Sequence, residues 1–155
     1  MISKAENLET LHLLLVGNNP IELSKILDRL NEVKGEKINT AFAFDLKSSL
    51  QCLLTFKPSH ILIDDNIGKS ELSNSINRLQ SRRKTKDIPI TILKNSNYQE
   101  MVSWGALNFI LKSNLTGESL YRSLLNSSKY RRAQLYFQQA YRKRKGQLSR
   151  MLQIS

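Results

Sequence analysis

The feature that most constrains the fold is a short apolar run that ends in two carboxylates. Within residues 58–68, the run Ile-Leu-Ile at 61–63 leads directly into Asp64 and Asp65. An unbroken apolar run of this length is typical of a strand that is buried on both faces of a parallel sheet. In open α/β proteins, ligands bind at the carboxyl ends of such strands. The sequence therefore places two carboxylates where a site is expected.

Four further apolar runs occur along the chain, and segments with helical periodicity separate them. We predict strands at 11–16, 38–44, 58–64, 88–93 and 107–111, and helices at 21–33, 46–56, 70–79, 95–104 and from Ser113 or Thr116 onward. This alternation predicts an α/β fold with a five-stranded, parallel, doubly wound sheet and helices on both faces. Residues 1–10 form a polar lead-in, and the domain itself is predicted to span 11–128.

The composition excludes several classes of protein. In 155 residues, 40% hydrophobic and 24% charged content suffices for one core without metals or disulfides. Cys52 is the single cysteine, so it forms no intrachain disulfide, and we predict a core thiol. No glycine-rich phosphate loop and no Cys/His cluster for zinc is present. We therefore expect a protein that is not an enzyme and holds no cofactor of these kinds.

No signal for export or for a membrane span is visible in the sequence. No run approaches the ~18 apolar residues that cross a bilayer. The N-terminal residues show no charged-then-apolar pattern with a cleavage site. We therefore expect a cytoplasmic protein without a membrane span.

Polar residues follow four of the five predicted strands. Gly17 and Asn18 follow the first, Asp64 ends the third, Lys94 follows the fourth and Lys112 follows the fifth. The carboxyl ends of parallel strands share one edge of the sheet, so these side chains are predicted to meet in one shallow cleft. The alternative is an ordinary exposed edge whose polar loop residues have no common function.

The order and spacing of four segments resemble the receiver domains of two-component response regulators, the CheY-like domains. The resemblance covers about residues 10–130 and rests on Leu-Leu-Leu-Val-Gly-Asn-Asn-Pro at 13–20, Pro-Ser-His-Ile-Leu-Ile-Asp at 58–64, Asp-Ile-Pro-Ile-Thr-Ile-Leu at 87–93 and Trp-Gly-Ala-Leu-Asn-Phe-Ile-Leu-Lys at 104–112. It implies the flavodoxin-like receiver fold. It also implies two-component signalling, with a histidine kinase or an output domain as partner.

The resemblance further implies a role for individual residues. Asp64 would accept a phosphoryl group as an acyl phosphate, and Lys112 would pair with the phosphoryl oxygens. Asn66 would offer its backbone carbonyl to Mg²⁺, and Phe109 would take the place of the family's switching aromatic residue. If any residue of this chain binds a metal, Asp64 is the one expected to do so.

The chain departs from the family at the acidic pocket. The family's acidic pair maps onto Gly17 and Asn18, and its Ser/Thr after the fourth strand maps onto Lys94. Asp65 belongs to the degenerate pocket as well, but consecutive residues at a strand end point apart. Because Mg²⁺ prefers anionic oxygen ligands, we predict weak Mg²⁺ binding or none. We also predict that Lys94 and Lys112 neutralise Asp64 without a metal, and that a contact between Lys94 and Asp64 locks the domain in one state; the alternative is that Lys94 extends into solvent.

These departures predict a divergent receiver domain that acts as a protein-interaction module. The domain would act independently of phosphorylation, or it would be a domain that is only weakly phosphorylatable. One alternative is a working phosphoacceptor domain that uses Asp64. Another is a nucleic-acid-binding adaptor that works through the basic C-terminal segment.

The C-terminal segment carries most of the excess charge. Residues 115–155 contain nine Lys/Arg and one acid, which gives +8 of the chain's total of +11. Tyr130, Ala133, Phe137 and Tyr141 share one helical face. We therefore predict that residues 129–155 form a basic helical extension or linker that supports a homodimer. Contacts with nucleic acid or with an acidic membrane are the alternatives.

Overall fold

The computed structural model describes residues 10–33, 37–95, 108–113 and 115–154 of the chain. Its strands are β1 (Leu11–Val16), β2 (Ile38–Ala43), β3 (His60–Asp64), β4 (Ile90–Lys94) and β5 (Asn108–Leu111). Its α-helices are α1 (Pro20–Asn31), α2 (Leu46–Cys52), α3 (Lys69–Ser81) and the C-terminal helix α4 (Gly117–Ile154), and a 3₁₀ turn (Asp65–Ile67) follows β3. The helix predicted at 95–104 lies outside the described residues, apart from Asn95.

The strands form one parallel sheet in the order β2-β1-β3-β4-β5. This is the flavodoxin-like, doubly wound order, in which the chain winds outward from the centre in both directions. The prediction of a five-stranded parallel α/β fold with an extended C-terminal helix is confirmed. Because β1 and β3 are central, the loops that follow them lie side by side at the carboxyl edge.

Apolar side chains of the sheet fill two cores, one on each face. On one face, leucines of β1 pack with α1 and the start of α4; this core contains Leu13, Leu15, Leu23, Leu30, Leu120 and Leu124. On the other face, β3 and β4 pack mainly on α3; this core contains Ile61, Ile63, Leu72, Ile76, Leu79 and Ile92. The half-buried Cys52 packs at the margin of this second core, and its burial raises the pKa of the thiol.

Several element ends differ from the predicted ones for local reasons. The strand β2 stops at Ala43 because Asp45 caps α2: its carboxylate accepts the backbone N–H of Ser48 at 2.7 Å. The strand β4 begins at Ile90 rather than at residue 88, since Pro89 has no N–H to donate to the sheet. Within the described residues, no helix is long and apolar enough to cross a membrane.

The last helix runs without a break through the basic segment. Gly146 lies inside this helix and does not interrupt it, since an isolated glycine costs a helix only ~1 kcal/mol. Arg131 contacts the domain where the helix leaves it: its guanidinium donates to the carbonyl of Lys86 at 3.2 Å and lies 3.3 Å from Asp87 Oδ1.

Candidate functional site

Asp64 lies at the centre of the carboxyl edge of the sheet. It ends β3, which is buried along its whole length, and its side chain is only 1% exposed. The 3₁₀ turn that follows directs the backbone N–H of Asn66 back onto Asp64 Oδ1 at 3.0 Å. A carboxylate that accepts a backbone N–H is held in one orientation, so the other oxygen, Oδ2, faces the rest of the site.

Lys112 supplies the cation at this site. It follows β5, and its Nζ lies 2.6 Å from Asp64 Oδ2 and 2.9 Å from Glu22 Oε2. The lysine side chain is 20% exposed, so it approaches Asp64 from the solvent side and covers it. One ammonium group thus bridges two carboxylates that belong to different elements of the fold.

Glu22 is a residue of the site that sequence reasoning missed. It lies in the first turn of α1, where Asn19 caps the helix and an acidic residue interacts favourably with the helix dipole. From there its Oε2 also accepts the side-chain amide of Asn66 at 2.9 Å. The available signal was its position: α1 begins at the same edge of the sheet, so its first turn faces the ends of the strands.

The turn after β1 packs closely against the site. The side-chain amide of Asn18 donates to the backbone carbonyl of Asn66 at 2.8 Å. A Cβ atom on Gly17 would lie 2.9 Å from Leu23 Cδ2 and 3.3 Å from Asp64 Cβ. The close approach of this turn to β3 therefore suits glycine, and any larger residue would have to displace the side chain of Leu23.

Asp65 and Lys94 make contacts away from Asp64. The Asp65 carboxylate accepts the backbone N–H of Asn95, at 3.2 Å from Oδ2, and also the Asn95 side-chain amide. Lys94 is 8% exposed, and its Nζ lies 5.4 Å from the centre of the Phe109 ring, within the range of a cation–π interaction. Of the two lysines that we predicted as charge partners of Asp64, Lys112 makes the ion pair.

Burial and the three charges shift the pKa values at this site. Burial raises the pKa of Asp64 above its usual value, although the ion pair with Lys112 and the N–H of Asn66 act against this shift. Burial would lower the pKa of Lys112, but Asp64 and Glu22 outweigh it and the pKa is raised. The hydrogen bond from Lys112 lowers the pKa of Glu22. Lys112 is therefore firmly protonated at neutral pH.

The arrangement does not fit a bound Mg²⁺ ion. The ammonium of Lys112 lies between the two carboxylates, and the carbonyl of Asn66 already accepts a hydrogen bond from Asn18. Over the described residues, no group of three or more His, Cys, Asp or Glu side chains could hold a metal ion. A divalent cation at Asp64 would have to displace Lys112.

The solved structures that are similar to this chain share one fold. The signal receiver domain of an HD domain-containing protein from Pseudomonas fluorescens Pf-5 matches 81% of this chain and 99% of its own length, at 13% identity and a TM-score of 0.66. The receiver domain of the sensor histidine kinase PA1611 from Pseudomonas aeruginosa PAO1 matches 78% of this chain and 99% of its own length, at 16% identity and a TM-score of 0.65.

A third structure, the chemotaxis response regulator CheY4 of Vibrio cholerae, covers 77% of this chain and 99% of its own length, at 19% identity and a TM-score of 0.62. The sequence matches no family model and no curated protein. At these identities the likeness is one of backbone architecture. The chain therefore has the fold of the response-regulator receiver domains that its sequence resembles.

Proposed function

We propose that this chain is a divergent receiver domain of two-component signalling that acts as a protein-interaction module without phosphorylation. The observation that carries the proposal is the ammonium of Lys112, which bridges Asp64 and Glu22 at 2.6 and 2.9 Å. This contact gives the acidic pocket a resident cation that belongs to the protein. The partners are signalling proteins such as a histidine kinase or an output domain, in keeping with the receiver domains of the neighbouring structures.

The contacts of Asp64 support a fixed state of the pocket. To attack a phosphoryl group, Asp64 Oδ2 would have to leave Lys112, and the incoming charge would need a metal ion beside it. The Lys112 bridge and the Asn18–Asn66 hydrogen bond occupy the groups that would receive that ion. Phosphorylation therefore requires the contact between Lys112 and the buried Asp64 to break, which raises the free energy of the phosphorylated form.

A working phosphoacceptor remains the second candidate, and one observation favours it. Asp64 ends β3 with Lys112 beside it, which is the pair that the resemblance assigns to the acyl phosphate and its oxygens. In this case Lys112 would stay with the phosphoryl group after transfer, and Glu22 would be released.

Incubation with acetyl phosphate and Mg²⁺, followed by intact-mass measurement, distinguishes the two candidates. We expect no phosphoryl adduct on the wild-type chain. The matched variants are Asp64→Asn and Asp65→Asn, which remove neighbouring carboxylates with different contacts. An adduct that is present in the wild type and in Asp65→Asn but absent in Asp64→Asn would overturn the proposal and establish the phosphoacceptor.

A further inference from the structure

The C-terminal part of α4, residues 130–152, presents an apolar stripe to solvent. Tyr130, Phe137, Tyr141, Leu148, Met151 and Leu152 are spaced by 7, 4, 7, 3 and 1 residues, which places them on one side of a helix that turns ~100° per residue. We call this set the apolar stripe. Its side chains are between 56% and 73% exposed. Every residue from 136 to 152 is exposed except Gly146, so the described part of the domain does not cover the stripe.

The same part of the helix carries only positive charge. Eight Lys/Arg lie between residues 129 and 150, and no Asp or Glu follows Glu118 in the sequence: the cations are Lys129, Arg131, Arg132, Arg142, Lys143, Arg144, Lys145 and Arg150. Of these, Arg131 is paired with Asp87. The remaining cations lie beside the stripe and around the rest of the helix, so a surface that covers the stripe must also be strongly acidic.

A second copy of this chain fits the stripe poorly. Arg144 lies within the stripe, seven residues after Phe137 and four before Leu148. In a paired helix, two such arginines would be enclosed in the seam with no acidic residue to neutralise them, at a large cost in desolvation. The flanking cations would repel one another along the full length of the pair. The predicted homodimer through α4 is therefore not the arrangement that the charges favour.

Nucleic acid would satisfy the charges but not the stripe. Phosphates engage Lys and Arg, yet they leave leucine and methionine side chains such as Leu148, Met151 and Leu152 in water. From residue 130 to 152 the stripe is ~33 Å long, more than the two turns that anchor a helix in the groove of a single partner protein. A long apolar surface that lies beneath an anionic layer can accommodate the apolar stripe and the positive charges together.

We propose that residues 130–152 of α4 lie in the surface of an anionic lipid bilayer. The apolar stripe enters the boundary between headgroups and acyl chains, where the tyrosine rings find both an apolar and a polar environment. The lysines and arginines, Arg144 included, extend their long side chains to the anionic headgroups. This inference does not depend on the chemistry at Asp64.

Vesicle flotation with the full chain tests the proposal. The two vesicle types are phosphatidylcholine alone and phosphatidylcholine mixed with phosphatidylglycerol, both at physiological ionic strength. We expect the chain to float with the anionic vesicles and to stay in solution with the neutral ones. Equal flotation with both types, or flotation with neither, would overturn the proposal.

Three sets of substitutions separate the contribution of the apolar stripe to membrane binding from that of the positive charges. The stripe variant Phe137→Ser/Leu148→Ser/Leu152→Ser and the charge variant Arg142→Gln/Lys143→Gln/Lys145→Gln are each expected to lower the partition coefficient at least about tenfold. The control variant Gln138→Ser/Gln139→Ser, on exposed positions outside the stripe, is expected to bind like the wild type. Circular dichroism of each variant shows that α4 is still helical.

The other possible partners give distinct outcomes in the same set of measurements. If the charge variant lost binding while the stripe variant kept it, the contact would be electrostatic adsorption only, and the proposed insertion would be wrong. Steeply salt-dependent binding to duplex DNA without vesicle flotation would show a nucleic-acid arm instead. A dimer in light scattering that the stripe variant abolishes, again without flotation, would show that a second copy covers the stripe.

Discussion

Lys112 does in this pocket what a divalent cation does in an acidic one: it brings two carboxylates of different elements together. Asp64 is almost fully buried, whereas Glu22 is half exposed. The contact with Asp64 is therefore the one whose loss would leave a charge without compensation in a low-dielectric environment. Lys112 joins α1, β3 and β5 at the carboxyl edge, so a single residue controls both the charge and the geometry of the pocket.

Replacing Lys112 is expected to destabilise the domain in a pH-dependent way. We expect Lys112→Met to lower the free energy of unfolding at pH 7 by about 3 kcal/mol, because Asp64 remains buried without its cation. The pKa of Asp64 is already raised by burial, and it rises further without Lys112. As the pH falls, protonation of Asp64 removes the buried unpaired charge. The loss in the free energy of unfolding is therefore smaller at pH 5 than at pH 7. Urea denaturation at both pH values measures this difference.

Two further variants show whether the effect arises at Asp64. Adding Asp64→Asn to Lys112→Met removes the uncompensated charge and is expected to recover part of the lost stability. The exposed Lys84 provides a matched control, since Lys84→Met removes the same charge without a buried partner and should change stability by less than about 0.5 kcal/mol. An equal loss at both pH values, with no recovery in the double variant, would contradict the assignment.

At the scale of the elements, the start of α4 packs directly against the last turn of α1. A Cβ atom built on Gly117 would lie 1.8 Å from the backbone carbonyl oxygen of Arg29, a distance that no side chain tolerates. This contact is between two backbones, so rotation of a side chain cannot relieve it. Glycine at this position sets how closely the two helices approach, and with it the direction in which α4 leaves the domain.

A pair of glycine substitutions in α4 tests this packing. We expect Gly117→Ala to lower the free energy of unfolding by about 1–3 kcal/mol, because the helices must separate to admit the methyl group. The control is Gly146→Ala in the same helix, where nothing lies within 4 Å of the added Cβ. Alanine favours a helix over glycine by ~1 kcal/mol, so this control is expected not to lower stability. Similar losses in both variants would show that the contact with Arg29 does not govern the packing.

At the scale of the whole molecule, the strands could be predicted from the sequence more readily than the site. A buried parallel strand must be apolar throughout, so β1, β3 and β4 are visible as runs, and the position of Asp64 follows from the end of β3. The contact between Lys112 and Glu22 joins residues 90 positions apart. This contact depends on the position and orientation of α1 on the sheet, and no local sequence pattern determines them.

The direction of each side chain at the sheet edge could not be predicted from the sequence either. Lys94 and Lys112 both follow a predicted strand and both carry one positive charge, so the pattern alone favours neither as the partner of Asp64. In the structure Lys112 reaches Asp64, whereas Lys94 lies over the ring of Phe109. The three-dimensional packing at the sheet edge therefore distinguishes two residues that are equivalent in sequence.

The stability of the whole domain should depend on pH through His60. This residue begins β3, is 3% exposed, and has its pKa lowered from 6.5 to about 4, chiefly by burial. Because the folded state binds the proton more weakly than the unfolded chain, the histidine favours unfolding as the pH falls below 6.5, and its effect levels off near pH 4. Between pH 7 and pH 5 the expected loss in the free energy of unfolding is roughly 2 kcal/mol.

The variant His60→Gln isolates this contribution from those of the carboxylates. The lowered pKa of Glu22 also favours unfolding in acid, whereas the raised pKa of Asp64 acts in the opposite direction. Both carboxylates remain in the variant, so the difference between the two pH profiles reports His60 alone. Urea denaturation at intervals from pH 7 to pH 5 should give a flatter profile for His60→Gln than for the wild type. Parallel profiles would contradict the assignment, because they would mean that His60 has the same pKa in the folded and in the unfolded chain.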